Sequence, residues 1–149
     1  MAANSNREQI IEANKTIVEG VSAVKTVKRT LLEYSDLQEF ALTQLPVAAV
    51  VGRMPVPVEK HTMRTGDVDQ IKSKLNVDIF VYIQANDNAD VEISSLMDDL
   101  WAALYADQSR SGLVISTEVK VEENPEYWAP FAAFKITVEH YYVHSTGGI

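Results

Sequence analysis

Three histidines and a scatter of carboxylates are the side chains of this sequence that could carry chemistry. His140 and His144 are four residues apart, a spacing that would place two metal ligands together on a helix. Their neighbours predict a strand instead, where four residues separate side chains by about 13 Å, so the pair could not share one zinc ion. An acid–base pair of His61 or His140 with a carboxylate such as Asp78 remains open as the chemistry of a small enzyme.

No established catalytic or cofactor motif accompanies these residues. The chain has no cysteine, which excludes disulfides, thiol nucleophiles and thiolate metal sites. Phosphate-binding loops, dinucleotide fingerprints and nucleophile elbows are also missing. The turn Ala85–Asp90 is rich in Asn and Asp but lacks the glycine and final glutamate of a calcium loop, so we expect Asn88 or Asp90 to cap the next helix. We predict a protein that is not an enzyme and that uses no cofactor or metal.

The strongest structural pattern is a strand followed by a helix, between Leu75 and Asp107. Every second residue of Leu75–Ile83 is aliphatic, which is the period of a strand. Farther on, apolar residues recur at steps of one, three or four, as in an amphipathic helix. These residues are Ile93, Leu96, Met97, Leu100, Trp101 and Leu104. The helix is therefore predicted to cover the aliphatic face of the strand.

Other segments complete a single domain. A first helix is predicted from about Ser5 or Asn6 to Gly20, which would end it. Further strands are predicted at Val24–Leu32, Val47–Val51, Leu113–Val121 and Phe131–Val143. The predicted fold class is α+β, with a mainly antiparallel β-sheet packed against two main α-helices in one domain over residues 1–149.

Irregular segments are the places where we expect contacts with other molecules. We predict a flexible leader at 1–6, an irregular loop at 53–70 and a flexible tail at 145–149. A functional loop, a disordered segment and an extended hairpin all fit positions 53–70. As a loop, the segment could be solvated and mobile or could dock a partner. An aromatic pair on a loop between Glu126 and Pro130 is a candidate subunit contact. The predicted interface residues are Arg53, Lys60, His61, Arg64, Lys72, Tyr127 and Trp128.

The overall charge limits the kinds of molecule that the chain is expected to bind. The chain carries 21 acidic and 13 basic residues, for a net charge of −8, which disfavours sequence-reading contact with nucleic acid. The charge fits ordinary solubility, or a passage that repels the DNA backbone. No apolar run approaches the roughly 20 residues of a membrane-spanning helix, and the first residues lack the pattern of a signal peptide. We expect an intracellular protein, or one in an assembled particle, without membrane contact.

The order of these elements resembles the tail terminator proteins of long-tailed bacteriophages, also called minor tail or tail completion proteins. The stretches that carry the resemblance are Val77–Ile83, Leu96–Leu104, Tyr127–Pro130 and His140–Ile149. The resemblance implies helices packed on a mainly antiparallel sheet. It also implies a homohexameric ring at the head-proximal end of the tail tube, which ends tube polymerisation and joins the tail to the head connector.

The resemblance further implies the partners and the location. The partners would be other copies of the chain, the tail tube protein, and the head–tail connector or stopper protein, while DNA passes through the ring without sequence-specific binding. The location would be the virion tail, after assembly in the host cytoplasm. The alternatives are a head completion or stopper protein of the neck, another minor tail protein, or the small acid–base enzyme considered first.

Overall fold

The computed structural model contains two long α-helices and seven strands within the residues that it describes. These are 5–33, 36–37, 44–64, 67–84, 88–122, 125–128 and 130–145, with the main chain alone at 60–64, 67–69 and 128. The elements in chain order are α1 (Asn6–Glu19), β1 (Thr26–Lys28), β2 (Val47–Gly52), β3 (Val56–Arg64), β4 (Asp67–Gln84), α2 (Ala89–Ala106), β5 (Ser116–Val121), β6 (Glu126–Trp128) and β7 (Phe131–Ser145).

One mainly antiparallel sheet organises the chain, and this confirms the predicted α+β class. Its strand order is β1-β2-β4-β7-β5, with β3 paired to β4 and β6 paired to β7. Only the β1–β2 pair is parallel among the described pairs. The long central strands β4 and β7 pair from Gln70 opposite Ser145 to Gln84 opposite Phe131. Every other element is positioned against these two strands.

The two helices cover one face of the sheet, as predicted. Their buried apolar residues, such as Ile11 and Leu100, join the aliphatic residues of β4 in one core cluster. The Ser5 side chain caps α1 by accepting a hydrogen bond from the Glu8 amide, and Gly20 ends the helix. At the start of α2 the prediction was wrong in detail: Asn88 occupies the cap position, but its side chain makes no capping bond.

The opposite face of the sheet is apolar at one end only. A second buried cluster includes Leu32, Leu37, Tyr82 and Phe131. Toward the other end this outer face carries charged side chains, such as Glu139, which is bound by Lys120. The helix-covered face of the sheet is therefore mainly apolar, with a few buried polar residues such as His140, and the other face changes from apolar to charged along its length.

Most of the segment at 53–70 forms a β-hairpin, so the prediction of an irregular loop is wrong and the alternative of an extended hairpin is confirmed. β3 pairs with the first part of β4, and positions 65–66 between the two strands lie outside the described residues. Pro55 and Pro57 weaken the sequence pattern of a strand, although proline is tolerated in an edge strand. Three register shifts along β3 also break the regular alternation on which a strand prediction depends.

Two predicted strands are shorter than expected. Of Val24–Leu32, only the three residues of β1 are paired, and both end residues are buried outside the strand. Of Leu113–Val121, pairing begins at Ser116, and Ile115 just before it is exposed. The chain folds back after α2 before it enters β5, which displaces the start of that strand.

The predicted flexible ends fall largely outside the described residues, namely at 1–4 and 146–149. Asn6 already belongs to α1, and Ser145 belongs to β7. Positions 85–87 of the predicted turn also lie outside the described residues. Neither described helix combines the length and the apolar composition needed to cross a bilayer.

Gly52, at the end of β2, lies where α1 crosses the sheet. A Cβ there would lie 2.1 Å from Ile11 Cδ1 and 2.7 Å from Ile11 Cγ1. We expect Gly52→Ala to lower the free energy of unfolding by about 1–3 kcal/mol, because the side chain of Ile11 must move. Urea denaturation would measure the change. Gly20→Ala, where the new Cβ would lie 3.3 Å from its nearest neighbour, is the control and should cost less.

The Ile11→Val background provides a second control, because valine lacks the Cδ1 atom that a Cβ at position 52 would strike. Gly52→Ala should therefore cost less in that background than in the unmodified chain. If Gly52→Ala lowered the free energy of unfolding equally in the unmodified chain and in the Ile11→Val variant, the proposed clash with Ile11 would be contradicted.

Candidate subunit interface

The β3–β4 hairpin exposes a row of apolar side chains. Met54, Val56 and Val58 are 75%, 54% and 50% exposed. β3 pairs with β4 alone, so its second edge has no partner strand among the described residues. An open edge strand with exposed apolar side chains is a surface that favours association with another chain. Sequence reasoning missed these residues because it gave weight to the basic residues around them, although the Val-Pro-Val alternation was the available signal.

Arg53, predicted as an interface residue, binds within its own chain. Its Nε donates to Asp78 Oδ2 at 2.8 Å and its Nη2 donates to Oδ1 at 3.1 Å. Thr137 Oγ1 also donates to Asp78 Oδ1, at 2.9 Å. The hydrogen bonds to Asp78 raise the pKa of Arg53. Arg53 therefore links the end of β2 to the charged part of the outer sheet face.

Lys72 is partly buried on β4. Its Nζ lies 3.6 Å from a carboxylate oxygen of Glu59 and 5.3 Å from the centre of the Tyr141 ring. The other predicted basic residues, Lys60, His61 and Arg64, lie on β3, and their side chains are outside the described atoms. The predicted basic set is therefore concentrated on the hairpin.

Tyr127 and Trp128 lie on a short strand, which corrects the prediction of a loop. Both belong to β6, where they pair with Ala132 and Phe131 of β7. β6 ends at 128 and β7 begins at 131, so the pair forms one arm of a tight hairpin. The Tyr127 side chain is exposed, as a contact residue requires, and the Trp128 side chain lies outside the described atoms.

The structure does not bring the two predicted sets together. β6 pairs with the start of β7 at Phe131, whereas the part of β4 that carries the β3 hairpin pairs with the end of β7 at Ser145. Fourteen residues of extended chain between these positions span roughly 45 Å. They are two separate surfaces.

His140, a candidate acid–base residue, is locked into a buried polar network. Its Nδ1 lies 3.0 Å from Thr117 Oγ1, and that hydroxyl donates to the Gln108 carbonyl at 2.6 Å. The hydroxyl hydrogen is thereby used, so Nδ1 of His140 carries the proton in this bond. Its Nε2 then accepts from Asn14 Nδ2 at 2.8 Å. This arrangement selects one neutral tautomer of the imidazole.

Arg110 completes the network at the end of α2. Its Nε donates to Asn14 Oδ1 at 3.1 Å, and its Nη1 donates to the carbonyls of Leu104, at 2.8 Å, and Asp107. The side chain is 1% exposed, and burial lowers the pKa of Arg110. The backbone is left-handed at Arg110 and at the two residues after it, with φ of 49° at Arg110, 57° at Ser111 and 87° at Gly112. A cation at the C-terminal end of a helix complements the helix dipole.

Within this network His140 is buried, so its imidazole is not accessible to act as an acid or a base on a substrate. His140 is 0% exposed. Burial and the positive charge of Arg110 lower its pKa from 6.5 to about 3, so it stays neutral at neutral pH. Asp78, its suggested partner, faces the other side of the sheet, where it is paired in register with Thr137. The hypothesis of a His140–Asp78 pair is therefore wrong.

Both ring nitrogens of His144 also lie close to polar atoms of its own chain. Its Nε2 lies 2.7 Å from Ser73 Oγ and its Nδ1 lies 2.8 Å from the carbonyl oxygen of Ser145. It lies on β7 with His140, as the sequence predicted. No group of three or more potential metal ligands occurs among the described residues.

An open cleft of about 280 Å³ lies on the outer face of the sheet, lined by Leu31, Phe80 and Tyr82 with Glu122, Glu126 and Lys135 beside them. No histidine, serine or threonine is among its lining residues in the described part of the chain. The cleft therefore offers apolar and ionic contacts.

No model of a known protein family and no curated protein matches this sequence. The function is therefore inferred from the fold, the exposed hairpin and the structural use of the buried polar residues.

Proposed function

We propose that the protein is a structural virion protein of the tail terminator type. It assembles into a homo-oligomeric ring, of six subunits by the resemblance, at the head-proximal end of a phage tail tube. The ring ends tube polymerisation and joins the tail to the head connector. The observation that carries the proposal is the open apolar edge of β3, with Val56 and Val58 exposed on the strand and Met54 exposed just before it.

The exposed edge supports self-assembly on energetic grounds. Complete burial of one valine or methionine side chain contributes about 1.5–3 kcal/mol. Val56 and Val58 on this strand still expose about half of their surface, and Met54 just before it exposes 75%, so covering them would contribute part of that free energy for each residue. In an isolated chain these side chains stay in contact with water, and the backbone N–H and C=O groups on the open edge of β3 have no partner strand among the described residues. A second protein surface would cover both. The fold supports the same proposal, because two helices on a mainly antiparallel sheet are what the resemblance implies.

The buried polar residues support a structural role over the alternative of a small enzyme. His140 has no exposed surface, and both of its ring nitrogens are occupied by contacts with Asn14 and Thr117. Asp78 is held by Arg53 and Thr137. A substrate would have no access to the imidazole without opening the core. These groups fix the position of helices and strands instead.

Native mass spectrometry and negative-stain imaging of the purified chain test the proposal. We expect a closed ring, and we expect the double variant Val56→Asp and Val58→Asp to raise the dissociation constant of the subunit contact at least about 100-fold, since the apolar anchors become charged. Circular dichroism should show an unchanged fold, because both positions are exposed.

The matched control is Leu31→Asp with Ile115→Asp, which adds the same charge at two other exposed apolar positions. It should leave the ring intact. An unmodified chain that remains monomeric at high concentration would contradict the proposal. Labelled protein in assembled particles should mark the head-proximal end of the tail, and a label in the neck would favour the stopper alternative.

A further inference from the structure

β5 is the most regular edge strand in the described part of the chain. It pairs with β7 through all six of its residues, from Ser116 opposite Tyr141 to Val121 opposite Ile136, without a shift in register. By contrast, β1 and β6 have three residues each, and β3 has three register shifts. A regular edge strand with unpaired backbone groups is a template to which a strand of another chain can add. The outer edge of β5 is therefore the place where this sheet most needs protection.

The amide of Val119 points away from β7, toward the position that an added strand would take. Just after β5, the Glu122 amide donates to the carbonyl of Lys135 on β7. Because the backbone groups of successive residues in a strand point in alternate directions, the amides of Glu118 and Lys120 also point toward β7. The amide of Val119, between them, points outward. An added strand would place a carbonyl oxygen about 2.9 Å from that nitrogen.

The Tyr105 side chain of α2 already occupies this position. The Val119 amide donates to Tyr105 Oη at 2.9 Å, so the hydroxyl oxygen lies where the carbonyl oxygen of an added strand would lie. Trp101, about one turn earlier on α2, contacts Tyr105 edge to face, with ring centres 5.1 Å apart and 61° between the ring planes. A neighbouring strand would lie about 4.8 Å from β5. It cannot reach that distance while the tyrosine side chain is in place.

We infer that Tyr105 blocks the outer edge of β5 against the addition of a strand from a second copy, and that Trp101 holds the Tyr105 ring in position. This role goes beyond the proposed ring and does not depend on it. Copies with two open edges can add to one another without limit, because each added copy exposes a new edge. With β5 blocked, the sheet cannot continue through β5 from one copy to the next.

The inference predicts what happens when the hydroxyl is removed. The freed amide of Val119 would bind water in dilute protein, because an edge amide is accessible to solvent. In concentrated protein a strand of a second copy would compete with that water. Exposure of the amide and association of the chain are therefore expected to appear together.

Tyr105→Phe tests the block, because it removes the hydroxyl and keeps the ring that contacts Trp101. Hydrogen–deuterium exchange followed by NMR in dilute protein should show the Val119 amide exchanging at least about 5-fold faster than in the unmodified chain, since one hydrogen bond is lost. The amides of Glu118 and Lys120 should keep their exchange rates, because they point toward β7. As the protein concentration rises, the Val119 amide should regain protection. Sedimentation velocity should then show species larger than any that the unmodified chain forms.

Tyr141→Phe is the matched control. It removes a hydroxyl from a partly buried tyrosine on β7, and it keeps the ring whose centre lies 5.3 Å from Lys72 Nζ. Exchange at Val119 and sedimentation should both stay unchanged. Trp101→Ala keeps the Tyr105 hydroxyl but removes the ring contact, so it should raise the exchange rate of Val119 by less than Tyr105→Phe does.

Unchanged exchange of the Val119 amide in Tyr105→Phe would overturn the inference. Faster exchange without any new concentration-dependent species would overturn it as well. Equal acceleration at Glu118 and Lys120 would show a general loosening of β5 and would also count against the block. An unmodified chain that forms no ring would contradict the proposed function alone, because the block is measured by comparing Tyr105→Phe with the unmodified chain in either state of assembly.

Discussion

Replacing Arg110 with methionine is expected to lower the free energy of unfolding by about 3–5 kcal/mol. The substitution keeps an apolar stem but removes the donors that satisfy Asn14 Oδ1 and the carbonyls of Leu104 and Asp107. Buried acceptors without donors cost about 1–3 kcal/mol each, and removal of the buried charge offsets part of that loss. Urea denaturation at neutral pH would measure the change.

Two comparisons isolate the role of the Arg110 guanidinium. Lys15→Met removes a cation whose Nζ lies 3.6 Å from Glu19 on the surface of α1, and it should cost no more than about 0.5 kcal/mol. Arg110→Lys keeps the charge without the forked geometry and should fall between the two. A loss below about 1 kcal/mol for Arg110→Met would mean that the desolvation of the guanidinium cancels its hydrogen bonds.

Acid is expected to destabilise the fold through His140. Its pKa is about 3 in the folded protein, against 6.5 for the ordinary imidazole. Between these values the unfolded chain takes up a proton that the folded protein does not. The free energy of unfolding that depends on a neutral His140 is therefore fully present above pH 6.5, and it is lost as the pH falls from 6.5 toward 3. A difference of this size corresponds to at most about 4–5 kcal/mol.

The variant His140→Gln separates this effect from the titration of carboxylates. Glutamine has a donor and an acceptor but no titration in this range. At pH 7 the His140→Gln variant should be less stable than the unmodified protein. Between pH 7 and pH 4 its free energy of unfolding should fall by less than that of the unmodified protein, as measured by urea denaturation at a series of pH values. Proton NMR should also find the His140 ring unprotonated at pH 5. A midpoint near 6.5 in the folded protein would contradict the expectation.

The strand–helix unit at 75–107 and the first helix could be predicted because their information is local. The apolar period of β4 and of α2, and the cap at Ser5, lie within a few residues of one another. Residues 53–70 could not be predicted in the same way, because prolines and register shifts interrupt the alternation of β3. Only its pairing with β4 makes the strand recognisable.

The buried network was beyond sequence reasoning for a different reason. Asn14 and His140 are 126 residues apart, and Arg110 and Asn14 are 96 apart, so no periodicity relates them. The available signal was Asn14 as a polar interruption in the apolar side of α1, together with a histidine on the inward face of a strand. Polar groups on two core-facing surfaces need partners, but the sequence does not say which partners they find.

The position of Arg110 has a mechanical consequence for the subunit, whether or not it assembles as we propose. A force on α2 would be resisted by hydrogen bonds as well as by side-chain packing. Arg110 binds the last carbonyls of α2, Asn14 binds Arg110, and His140 on β7 binds Asn14. Force applied to the helix would therefore be transmitted through hydrogen bonds to β7, one of the two longest strands, so that α2 and the sheet would move together.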